Sequence, residues 1–180
     1  IALIKGDGDN FGSIKKSISN ITLYHHITDT FNSMIEGALI KALSEVMIEL
    51  LMTSEINNNK INFPFQVLYY GGDDFVVMID AGFSMVFITT FGNFIENKLG
   101  KMSADYDKMS GEDLSIYPLG VSIGVAAAKS TVPLYTIYRA ALALEEKAKK
   151  YSKTILRKEK PYGGTIAVAF QYFNSIPTDQ

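Results

Sequence analysis

Apolar positions along this chain follow two periods, one suited to strands and one to helices. Ile1-Ala2-Leu3-Ile4 is a short unbroken apolar run stopped by Gly6 and Gly8, the pattern of a buried central strand. Phe31, Met34, Ile35, Leu39, Ala42, Leu43, Val46 and Leu50 recur at three- and four-residue steps and predict a long helix from about Asp29 to Thr53. Thr28 or Asp29 would cap it after a turn near His25 and His26. A short helix is expected over Gly12–Ser19, and Asn57-Asn58-Asn59 marks a polar break. Phe65–Tyr70 and Phe75–Asp80 are β-rich runs joined by Gly71-Gly72-Asp73-Asp74, which reads as a hairpin. Phe87, Phe91, Phe94, Ile95 and Leu99 give the inner side of a helix over Phe83–Leu99, and polar residues 101–116 read as a loop. Leu119–Ala127 predicts a strand, Leu134–Tyr151 a helix and Thr165–Tyr172 a last strand.

The resulting order is β-α-β-β-α-β with an added C-terminal helix and strand. That is the α+β, ferredoxin-like pattern, an antiparallel sheet with helices packed on one face. A length of 180 residues suits a single domain over 1–180. The chain opens with Ile1 directly in a strand-like run, so the expectation is a piece of a longer polypeptide whose other domains carry part of the function.

Composition narrows the classes. Hydrophobic residues make up 47% and charged residues 20%, as in ordinary globular proteins. A formal net charge of -2 gives no bulk attraction to nucleic acid, so any such contact is local or made through partner chains. The absence of cysteine excludes disulfides and thiolate zinc sites and fits a reducing, cytoplasmic setting. The charge-free apolar stretch between Asp80 and Glu96 falls short of the roughly 18 residues of a membrane span, so no membrane partner is expected.

Candidate chemistry gathers in three segments. Lys5-Gly6-Asp7-Gly8-Asp9-Asn10-Phe11-Gly12 follows the first strand, and two aspartates around a glycine can offer carboxylates and a backbone carbonyl to a hard cation. Asp-Gly pairs are also common turn formers. An EF-hand started at Asp7 would need an oxygen ligand where Phe11 stands and Glu where Ile18 stands, so that loop is rejected. At Gly71-Gly72-Asp73-Asp74, adjacent acids before an apolar strand repel unless a cation is shared. In the predicted sheet the first strand lies beside the hairpin, which would bring Asp7 near Asp73. Seven of the 17 Lys and Arg residues lie between Lys147 and Lys160. Most of these suit a solvated helix end, but Lys149 and Lys153 share a face and could reach phosphate oxygens together. His25 and His26, the only histidines, read as surface residues.

Taken in order, these segments resemble the GGDEF-like palm family of nucleotidyl cyclases, and most of all the catalytic palm of the large subunit of type III CRISPR effector complexes. The matching marks are Asp7-Gly8-Asp9-Asn10-Phe11-Gly12, Tyr70-Gly71-Gly72-Asp73-Asp74-Phe75, Ser122-Ile123-Gly124-Val125-Ala126 with Pro133 after it, and Ala148-Lys149. The resemblance implies catalytic carboxylates at Asp7, Asp73 and Asp74. It implies a Mg²⁺ or Mn²⁺ site at Asp7, the Gly8 carbonyl and Asp73, with Asp74 as ligand or support. Gly8, Asp9, Asn10, Phe11, Gly12, Gly71 and Gly72 would border the nucleotide, and Lys149 with Lys153 would meet its triphosphate. It further implies ATP as substrate, cyclic oligoadenylate as product and a composite site completed by a second palm, in cis or in a dimer partner. Other subunits of an RNA-guided effector complex, with guide and target RNA bound indirectly, are the implied partners. Three departures set the chain apart from diguanylate cyclases, the first being the Asp73-Asp74 turn where those enzymes carry Glu-Phe after the glycines. Lys15 stands where those enzymes carry a guanine-reading Asn, and Gly12 stands where they carry Lys. A non-catalytic nucleotide-sensing palm and a stand-alone cyclase making a cyclic dinucleotide are the alternatives.

Overall fold

The structure, a computed structural model, describes residues 1–9, 12, 20–53, 63–110, 120–156 and 165–173. Residues 13–19 of the helix predicted over Gly12–Ser19, the break at 57–59, residues 111–116 of the predicted loop, Asn10, Phe11 and Lys15 lie outside the described residues.

Among the described residues, five strands and three long helices follow one another as β1 (Ala2–Asp9), α1 (Ile21–Thr53), β2 (Phe65–Gly71), β3 (Asp74–Ile79), α2 (Ser84–Ser110), β4 (Gly120–Ala128), α3 (Leu134–Tyr151) and β5 (Thr165–Phe173). The strands form one sheet in the order β2-β3-β1-β4-β5. β1 is central: it pairs antiparallel with β3 from Ala2↔Ile79 to Gly6↔Phe75, and with β4 from Ala2↔Ala127 to Asp9↔Gly120. An apolar run paired on both sides is what its sequence pattern predicts.

β5 departs from the all-antiparallel expectation, because it pairs parallel with β4. The intervening α3 is the physical reason: a helical crossover returns the chain to the same end of the sheet, as a hairpin does not. α3 also corrects the expectation of helices on one face. Ala2, Ile4, Phe75, Val77, Ile79, Val121, Ile123 and Val125 turn toward α1 and α2 and form the larger core. Their neighbours Leu3, Val76, Ala126 and Ala128 face the other way and pack on Ile137, Ala141 and Leu144 of α3. The two-residue alternation of strand side chains supplies both faces.

Two helix boundaries were misread. α1 begins at Ile21, so His25 and His26 lie within it rather than in a turn. Its cap is Asn20, whose Oδ1 accepts from the backbone N–H groups of Thr22 (3.0 Å) and Leu23 (3.2 Å), and not Thr28 or Asp29. Ile27, four residues before Phe31, is buried and extends the apolar stripe back past the predicted start. α2 runs on to Ser110, so residues 101–110 are helical and not loop. Buried Met102 continues the stripe of Ile95 and Leu99 through that polar stretch. No helix among the described residues is long and apolar enough to cross a membrane.

Candidate nucleotide site

The C-terminal end of β1 gathers most of the predicted residues. Because successive side chains alternate, Lys5, Asp7 and Asp9 project to the α3 side, and Gly8 faces α1. On the α3 side they meet Glu145 and Lys149 from α3, Asp74 from the start of β3 and Ser122 from β4. The contacts form a chain of alternating charge. Asp74 Oδ1 lies 3.2 Å from Lys5 Nζ, and Lys5 Nζ lies 3.4 Å from Glu145 Oε2. Glu145 Oε1 lies 2.9 Å from Lys149 Nζ, and Lys149 closes the chain on Asp7. Beside it the Ser122 hydroxyl donates to Asp9 Oδ2 at 2.8 Å in a buried contact.

Gly124 lets α3 come this close. A Cβ there would stand 2.0 Å from the Ala141 carbonyl oxygen and 2.4 Å from the Glu145 backbone nitrogen, so only glycine fits. The hairpin turn needs its own glycine, since Gly72 has φ 68°, in the left-handed region. Gly71 lies at the end of β2 under the Tyr69 ring, and the Tyr70 hydroxyl ties that strand to α1 by donating to the Asn32 carbonyl at 3.1 Å. Asp73, in the turn, lies against Gly8 on the α1 side: a Cβ at Gly8 would be 2.8 Å from Asp73 Cβ and 3.2 Å from its Oδ2. Gly12 is helical and open to solvent, and Lys153 is exposed in the π-helical turn after α3.

The structure therefore brings Asp7 and Lys149 into contact, sets Asp73 beside the residue after Asp7, and ties Asp74 to Lys5. Among the described residues, no group of three or more His, Cys, Asp or Glu is gathered so as to hold a metal ion. The donor chemistry at this strand end still fits Mg²⁺ or Mn²⁺. Asp7, Asp73 and the Gly8 carbonyl are hard oxygen donors from adjacent segments, and Asp7 already carries a cationic partner in Lys149.

Burial and charge compete along the chain of ion pairs. For Lys5, burial works against the charge, but Glu145 and Asp74 outweigh it and hold its pKa above the ordinary lysine value. Burial pushes Glu145 above the usual carboxylate range; Lys5 opposes this, and Asp74 and Asp9 add to it. Burial, then repulsion from Lys5 and Lys153, pushes Lys149 down to about 8. Its carboxylate contacts favour the charged form, and at about 8 the ammonium keeps its proton at neutral pH.

Sequence reasoning missed Lys5 and Glu145 as members of the site. A signal for Glu145 was present: it stands four residues after Ala141 on the stripe of Ile137, Ala141, Leu144 and Ala148, where an acid is out of place.

Over residues 1–156 the chain matches the family described as Cas10/Cmr2, second palm domain. No curated protein matches it.

Proposed function

This chain belongs to the Cas10/Cmr2 second palm domain family, and we propose that it is a metal-dependent nucleotidyltransferase palm that binds ATP and serves in making cyclic oligoadenylate signals for type III CRISPR antiviral defence. The observation that carries this reading is the contact of Lys149 with Asp7 at the end of the central strand, beside the Gly8–Asp73 approach. A cationic side chain suited to a triphosphate and carboxylates suited to a divalent cation thus share one small region.

In the proposed reaction the 3′-hydroxyl oxygen of one ATP bonds to the α-phosphorus of another. The bond from that phosphorus to the bridging β-phosphate oxygen breaks, pyrophosphate leaves and the hydroxyl proton passes to solvent water. Mg²⁺ or Mn²⁺ held by Asp7, Asp73 and the Gly8 carbonyl would supply charge neutralisation on the phosphates and acidify the hydroxyl. The chain's own part is placement. Lys149, with Lys153, meets the triphosphate, and Gly8, Gly71 and Gly72 let the backbone come close to it. Asp74, held by Lys5, keeps the hairpin turn aligned with β1. A second palm, in the same polypeptide or in a dimer partner, would supply the other nucleotide, within an RNA-guided complex whose other subunits carry guide and target RNA.

The test is product analysis. The chain in its parent assembly, given target RNA, Mg²⁺ and ATP, is expected to yield cyclic oligoadenylate and pyrophosphate, and a doubly substituted Asp73→Ala, Asp74→Ala assembly neither. A second reading, a palm that senses nucleotide without turning it over, is favoured by the pairing of Asp7 and Asp74 with lysines. It predicts ATP binding with no pyrophosphate released.

A further inference from the structure

Glu145 is the least accessible charged group of the ion-pair chain, with 3% of its surface exposed. A carboxylate in the apolar stripe of a helix is costly unless it is paired. Well-packed apolar residues commonly serve stability as well as or better than a buried ion pair. Packing of α3 therefore gives no reason for an acid at this position.

The two oxygens of Glu145 reach two lysines on different elements. Oε2 faces Lys5 of β1 at 3.4 Å, and Oε1 faces Lys149, one helical turn further along α3, at 2.9 Å. Glutamate four residues before lysine is the favourable orientation on a helix. The backbone at Glu145 is also seated against the sheet, with its nitrogen 2.4 Å from where a Cβ on Gly124 would stand. The carboxylate is thus fixed relative to the sheet, and the lysine it holds is fixed with it. The Lys149 side chain is 28% exposed, so a ligand at the strand end can reach it, whereas Glu145 lies behind it.

We propose that Glu145 is a positioning residue, which holds the Lys149 ammonium at the end of β1 ready for a triphosphate and so sets how tightly the chain takes ATP without touching it. The proposal rests on the nucleotide-binding reading above. A lysine has a long flexible stem, and a free one loses much rotamer freedom when it settles on a phosphate. One already held in place gives up less, which is the general advantage of preorganisation.

The experiment is a double-substitution cycle read by calorimetry, with ATP and adenosine titrated in Mg²⁺ into the 180-residue chain. Glu145→Gln keeps the shape of the side chain and removes its charge. It is expected to weaken ATP binding about tenfold and leave adenosine binding unchanged. In a Lys149→Met background the same substitution is expected to have no further effect on ATP. Equal loss of ATP and adenosine binding, or an undiminished loss in the Lys149→Met background, would show that Glu145 only supports the fold and would overturn the proposal. Lys5→Met combined with Glu145→Gln guards against simple unfolding, because it removes the buried ammonium that has lost one of its two carboxylates. That variant is expected to regain melting temperature while ATP binding stays weak, and recovery of ATP binding together with stability would overturn the proposal. If Lys149→Met by itself binds ATP as tightly as wild type, the triphosphate reading fails and this proposal fails with it.

Discussion

The two faces of the sheet solve different problems with the same strands. Under α1 and α2 lies an aromatic core: Phe31, Phe75, Phe87 and Phe91 are fully buried, with Phe75 and Phe91 ring centres 5.0 Å apart and Phe87 and Phe91 stacked at 5.9 Å. Under α3 the strands offer Leu3, Val76, Ala126, Ala128 and Gly124, and the apolar contact gives way to ion pairs toward the C-terminal end of β1. Large rings keep α1 and α2 at a distance and bury apolar area, which dominates stability. Small residues let α3 come close, so that its charged side chains reach Lys5 and Asp7 of β1. The same alternation that feeds the first face with phenylalanine feeds the second with Lys5, Asp7 and Asp9. One face carries most of the apolar burial, and the other carries the ion pairs that join Asp7, Asp74 and Lys149.

Substitutions on the two faces should therefore separate. Phe91→Ala should have the largest effect on stability, about 3–5 kcal/mol, because it empties a fully buried site against the Phe75 and Phe87 rings. Denaturant unfolding measures this, and a cost below about 1 kcal/mol would contradict the assignment of the core. Gly124→Ala should cost about 1–3 kcal/mol, since the added carbon meets backbone and not a side chain that can swing away. It should also weaken ATP binding by moving α3 and its lysine outward. A variant that melts like wild type and binds ATP as well would mean that α3 is not seated by that contact.

On the second face alone, Lys149→Ala should weaken ATP binding by about 1.5–3 kcal/mol, the range of a hydrogen bond to a charged group, and leave adenosine almost unchanged. Calorimetry with both ligands decides, and equal losses would assign Lys149 to the fold. The smallest expected effect belongs to Asp73. With Mn²⁺ at about ten times its dissociation constant, the wild type should gain about 1.4 kcal/mol by mass action. Asp73→Ala should lose that gain while its stability without metal stays close to wild type. Thermal shifts that respond to Mn²⁺ equally in both proteins would falsify Asp73 as a ligand.

Much of this was legible in the chain because local patterns carry it. The β1 run, the hairpin strands around Gly71-Gly72 and the helix Leu134–Tyr151 are written in periodicity and turn chemistry, which depend on neighbouring residues only. The boundaries of α1 and α2 were harder to read. Asn20 caps α1 ahead of residues 21–27, of which only Ile27 is buried, and buried Met102 carries the stripe of α2 into polar surroundings. Lys149 and the aspartates were found as residues, but their partners were not. Nothing local in Lys5-Gly6-Asp7 says that Lys5 faces Asp74, 69 positions away, or that Asp7 receives Lys149.

The amino-acid order alone settled the strands and helices of the central unit and the glycines at the turn, and it singled out the candidate residues whose chemistry suits phosphate or a hard cation. Packing settled which of those residues meet. The parallel placement of β5, the seating of α3 on the second face and the burial of Glu145 between two lysines depend on contacts between segments far apart in the chain. Those contacts are decided by the fit of surfaces, such as the bare backbone of Gly124 against Ala141 and Glu145, and periodicity along one segment carries no record of the surface it will meet.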